Sequence, residues 1–147
     1  MVCRPRWDFI FRKKNNRTYK IIFNSDTLNP SKVTFDELSF NAQIGVLGHE
    51  YSHIIDYEDK SILDLIFCGI FYFTKKKYKE ELEKTVDKIA INKGLGWQIY
   101  DFSRYVLNES SADNEYKKYK ATFYYTPVEI NNLLDLSYPK QKAVLEN

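Results

Sequence analysis

The chain's only two histidines, His49 and His53, stand four residues apart in one largely uncharged stretch, with Glu50 directly after the first. Four residues advance an α-helix by about 6 Å and set the side chains nearly one above the other. Both imidazoles can therefore point at one spot, with Glu50 one step round. The flanks indicate which kind of helix this is. Val46, Leu47 and Gly48 precede the pair, Ile54 and Ile55 follow it, and Tyr51 and Ser52 between them are uncharged. A buried helix is expected, not a solvated face carrying incidental histidines. Gly45 and Gly48 fall in its interior, where each costs roughly 1 kcal/mol relative to alanine. A close neighbour, an edge strand or a second helix, is the expected reason.

The rest of the chain fits one unit around that helix. Its 147 residues, 44% hydrophobic and 29% charged, suit a single domain over 1–147, whether whole or a piece of a longer chain, and exclude disorder, collagen and coiled coil. No repeat or linker marks a second domain. Runs 7–11 and 17–23 are rich in β-formers and flank a polar 12–16 turn, which predicts an N-terminal hairpin ending at 24–30. Helices are expected at 35–57, capped by Ser31 or Thr34, at 75–93, stopped by Gly94-Leu95-Gly96, and at 97–107. A loop is expected at 108–114, and Thr126-Pro127-Val128-Glu129 reads as a capping box launching 130–136. The fold class is α+β, a mostly helical domain with a small antiparallel sheet packed near the histidine-bearing helix.

His-Glu-x-x-His on a helix is the arrangement that zinc hydrolysis uses: two nitrogen ligands, an open coordination position, and a carboxylate able to take a proton from water. Two histidines do not complete a tight site, and no third exists, so the missing ligand is a carboxylate or a thiolate. In the 75–93 helix, Glu83 and Asp87 lie four apart on one face, continued by the small residues Ala90 and Gly94. Glu83 is the expected third ligand for one zinc ion, and Asp87 the acceptor that fixes a histidine tautomer. Glu80 and Glu81 compete with Glu83 but have no partnered aspartate. Asp56, three residues after His53, reads as a further acceptor or alternative ligand, against an ordinary helix-surface charge.

His49, Glu50 and His53, followed on a later helix by Glu83 and Asp87, resemble the gluzincin zinc metallopeptidases. The likeness is to the branch of CAAX prenyl proteases, heat-shock membrane proteases and their small soluble relatives, the minigluzincins. It covers residues 33–105 and the N-terminal hairpin, which is similar to that family's substrate-aligning edge strand. Val86 replaces the alanine usual before the aspartate, and the multi-span membrane portion of the larger relatives is absent. The resemblance implies a zincin-like domain that hydrolyses peptide bonds in peptide or protein substrates, with Glu50 as general base. It also implies an oxyanion-stabilising residue. With no histidine left, Arg104, Tyr105, Tyr116, Tyr119, Tyr124 and Tyr125 are the candidates, and Arg104 is the one selected. The alternatives are a zinc-stabilised, catalytically silent interaction module and a DNA-associated metalloprotease.

Charge adds little about partners: 22 basic against 20 acidic residues set no strong field, so nucleic acid is not the expected partner. The cluster Arg4, Arg6, Arg12, Lys13, Lys14 and Arg17, interleaved with aromatics, is explained by a hairpin with a polar turn. Cys3 and Cys68 are too few for a disulfide framework and read as free thiols, and no apolar leader opens the chain, which together suggest a cytoplasmic setting. The apolar run 62–73 is shorter than the roughly 20 residues of a membrane span. A buried helix is expected there, with peripheral membrane contact through Phe67, Phe71, Tyr72 and Phe73 as the alternative.

Overall fold

The computed structural model describes residues 1–23 and 33–137. It is mostly helical, with one two-stranded antiparallel sheet: β1 (Val2–Pro5) and β2 (Tyr19–Ile22), paired Val2 to Ile22 through Pro5 to Tyr19. The expected hairpin exists, but its first strand is not 7–11. Pro5 closes β1, and Trp7–Phe11 forms a 3-10 turn in which Asp8 meets Arg12 at helical spacing, 2.9 Å from Asp8 Oδ2 to Arg12 Nε. The expected terminator at 24–30 and the Ser31 cap lie outside the described residues.

Six helices follow: α1 (Phe40–Glu58), α2 (Ile62–Thr74), α3 (Lys76–Ala90), α4 (Gly96–Arg104), α5 (Asn114–Phe123) and α6 (Pro127–Ser137). α1 starts at Phe40 rather than at 35 because Thr34 caps only a short 3-10 turn, Phe35–Glu37. Ser39 then caps the helix by accepting the Ala42 N–H at 3.2 Å. Burial along α1 falls at Ala42, Gly45, Val46, Gly48, His49, Glu50, Ser52 and His53, while Tyr51 and Ile55 stay exposed. The helix is half buried, not enclosed.

The two α1 glycines are explained by α4, neither by a strand nor by the helix that carries Glu83. A Cβ on Gly45 would stand 2.1 Å from the Gln98 carbonyl oxygen, and one on Gly48 2.4 Å from Leu95 Cδ1. At Gly45 the α1 and α4 backbones approach to a distance that only glycine permits, whereas Gly48 meets a leucine side chain just before α4. α3 packs on α1 and buries Leu82, Glu83, Val86, Asp87 and Ala90. At Gly94, with φ of 88°, the chain breaks as expected, and a five-residue π turn, Ile91–Leu95, leads directly into α4.

The core lies where α3, α4 and α6 meet, at Ala90, Ile91, Ile99, Ile130 and Leu134, with a second cluster of Leu38, Ala42 and Val46 at the N-terminal end of α1, against which Phe102 of α4 packs. The Thr126 capping box forms as expected, Glu129 accepting from Thr126 N and Oγ1 at 2.8 Å each. Two expectations fail. The 108–114 loop ends in a helix the sequence reading lacked, α5, capped by Asp113 accepting the Tyr116 N–H at 2.7 Å. Helix α2 forms over the apolar run, yet buries only Leu65 and Cys68.

Candidate metal centre

α1 and α3 present their buried polar residues to each other. His49 Nε2 lies 3.1 Å and His53 Nε2 3.5 Å from Glu83 Oε2, and all three residues are buried. Single ligand atoms of His49, His53 and Glu83 fall within 4.8 Å of one another. Glu83 Oε2 accepts no well-aligned hydrogen bond, although both imidazoles stand within ion-pair distance of it. Buried polar atoms almost always find partners. Two imidazole nitrogens and a carboxylate oxygen that converge in one buried cluster match the donor set of a divalent metal.

Each ligand is held from behind. His49 Nδ1 contacts Asp87 Oδ1 at 2.7 Å, and Asp87 Oδ2 accepts the Tyr125 N–H at 3.2 Å. This leaves His49 Nε2 facing the site, the orientation a carboxylate partner imposes on a ligating histidine. Tyr72, on α2, donates its hydroxyl to Glu83 Oε1 at 2.6 Å and so frees Oε2 for the site. His53 stacks on Tyr57 at 5.7 Å, and Tyr57 on Tyr19 at 6.2 Å, which ties the ring to β2. Tyr57 and Tyr72 escaped the sequence reading. The signal for Tyr57 was its place four residues after His53, and for Tyr72 its place in the inward stripe Leu65, Cys68, Tyr72.

The buried histidines and carboxylates perturb one another strongly. Burial would lower the His49 pKa, but the Asp87 charge and contact, with Glu83 beyond, overcome it and raise it to about 10. Burial would raise Glu83, and the two imidazoles instead hold it far below the usual carboxylate range. Without metal, His49 is thus an imidazolium at neutral pH. A ligating imidazole must be neutral, so a metal ion displaces that proton. Binding of a divalent metal at pH 7.5 is expected to release about one proton from His49, and affinity to rise with pH until His49 titrates. Calorimetry in buffers of different ionisation enthalpy reads this directly; a binding heat independent of buffer would contradict it.

Glu50 lines, with His49, a cavity of about 300 Å³ walled by Phe102, Tyr116, Tyr124 and Lys120. Its Oε2 is buried without a hydrogen-bond partner. Lys120 lies 3.7 Å from the centre of the Tyr124 ring, which is 5.4 Å from the His49 ring. Burial lowers the Lys120 pKa, against the pull of Glu83 and Asp87. Burial, reinforced by the Glu83 charge, raises the Tyr124 hydroxyl well above its ordinary range and keeps it neutral.

Other expected residues lie elsewhere. Arg104 pairs with Glu109 at 3.3 Å, half exposed, and does not line the cavity, so the cation there is Lys120. Asp56 is paired with Lys60 and is outside the His49, His53, Glu83 group. Glu80 and Glu81 pair with Lys84 and Lys77. Both cysteines are free and buried, and burial raises the Cys3 thiol to about 12. In the basic cluster, Arg6 and Arg12 meet Asp8, and Arg17 donates to the Lys60 carbonyl at 2.8 Å. No family model matches the chain, nor does any curated protein or any solved structure.

Proposed function

We infer that the chain is a zinc-dependent hydrolase of peptide bonds. The observation that carries this is the buried convergence of His49, His53 and Glu83 beside a cavity that Glu50, whose buried Oε2 has no hydrogen-bond partner, helps to line. Zinc supplies Lewis acidity, which lowers the pKa of water toward neutrality and polarises a carbonyl. The protein does the rest. Asp87 holds His49 in the ligating tautomer, and Tyr72 orients Glu83. Glu50 takes a proton from water at Oε2 and returns it to the leaving amine. Lys120, neighboured by the rings of Phe102, Tyr116 and Tyr124, offers positive charge to an oxygen that becomes negative in the reaction. The cavity's apolar wall favours a peptide side chain over a polar ligand.

A silent, metal-stabilised module would call for a fourth protein ligand. Among the described residues the group has three, which supports the open, catalytic reading. The test is cleavage of a mixed quenched-fluorescence peptide set by the full chain. Turnover is expected to stop with chelator and return with one equivalent of zinc. Failure of the zinc-loaded chain to cleave any peptide would overturn the reading.

A further inference from the structure

Helix α2 is apolar on two sides. Leu65, Cys68 and Tyr72 face inward, the last to Glu83. The other side presents Leu63, Ile66, Phe67, Ile70 and Phe73 at helical spacing, and these are 66%, 39%, 51%, 50% and 87% exposed. Burial rather than exposure is the usual fate of such a stripe. Gly69, on the same side, has open space around it. Lys75, Lys76 and Lys77, all exposed, follow directly. Lys75 Nζ lies 4.2 Å from the centre of the Phe71 ring, and Lys77 makes only an exposed 3.8 Å contact with Glu81. At the other end Lys14, Arg17 and Lys60 border Leu63, with Asp59 and Asp64 among them.

We propose that this stripe is a docking face for an anionic lipid bilayer. α2 lies in the plane of the surface, Phe67 and Phe73 enter the acyl boundary, and Lys75 to Lys77 rest on the headgroups. No described helix is long and apolar enough to cross a membrane, so the contact is peripheral. Two features select lipid as the occupant. The stripe is one convex helical row, which fits a deformable apolar layer without needing a complementary groove. Lys75, in the extended link between α2 and α3, and Lys76 and Lys77, which open α3, are three exposed cations at the Phe73 end of the stripe, a clustered charge suited to a field of anionic headgroups rather than to one directed ion pair. An exposed apolar face beside clustered cations is the recognised pattern of an interfacial helix.

The test is co-sedimentation of the full chain with vesicles of phosphatidylcholine alone or mixed with phosphatidylserine. Binding to the mixed vesicles is expected, at least about tenfold tighter than to phosphatidylcholine alone. Phe67→Glu with Phe73→Glu should abolish it, and Lys75→Gln, Lys76→Gln and Lys77→Gln together should weaken it roughly 100-fold. All five positions are exposed, and an unchanged melting temperature checks that the variants fold. Absence of binding to either vesicle would overturn the proposal. So would equal binding to both, or a dimer or a protein complex that the phenylalanine substitutions disperse. None of these readouts involves zinc or peptide cleavage, so this proposal and the hydrolase reading stand or fall separately.

Discussion

Replacing Glu83 with alanine is expected to weaken zinc binding by about 10²–10³-fold. Structural zinc sites with four ligands bind with about 10–16 kcal/mol, or about 2.5–4 kcal/mol per ligand, and each 1.4 kcal/mol is tenfold. The substitution also removes the charge that helps stabilise the His49 imidazolium in the metal-free protein, and it orphans the Tyr72 hydroxyl. Glu83→Gln separates these effects. Its amide oxygen can still accept from Tyr72, so the fold is expected to survive while zinc affinity falls nearly as far. Competition with a chromophoric chelator measures both. Unchanged affinity in Glu83→Ala would move the third ligand elsewhere, and Asp56, tied to Lys60, is not placed to take over.

The centre was legible in the sequence because its parts are encoded locally. His49 and His53, like Glu83 and Asp87, are four apart on a helix, and helical periodicity alone brings each pair to one face. Asp87 was expected to hold a histidine and does, 2.7 Å from His49 Nδ1. The Thr126 box was equally local. What depends on packing between distant segments was not legible. Gly45 announced a close neighbour, but nothing nearby in sequence says that the neighbour is Gln98 on α4. The run 62–73 is apolar all round, so no period shows which side the fold covers, and burial was overestimated there.

Lys120 was missed for a related reason. It sits in the polar segment Asn114–Phe123, whose tyrosines obscure the apolar period, and without that helix nothing places a lysine at the cavity. Arg104 was chosen for its charge alone, and Glu109, five residues on, takes that charge. Run 7–11 has strand-forming residues, but Pro5 and the Asp8–Arg12 pair favour a turn.

The second large effect is at Glu50. Glutamine matches glutamate in shape but cannot take a proton at neutral pH, and general-base catalysis contributes about 10²–10⁴-fold. Glu50 is not among the three converging ligands, so the substitution should leave the metal in place. The most direct measurement is zinc content and peptide turnover on one preparation of Glu50→Gln beside the unsubstituted protein. The expected result is one zinc per chain in both and a turnover about 10²–10⁴-fold lower in the variant. Equal turnover with zinc bound would contradict the assignment of Glu50 as the base, and loss of zinc from Glu50→Gln would contradict the three-ligand centre itself.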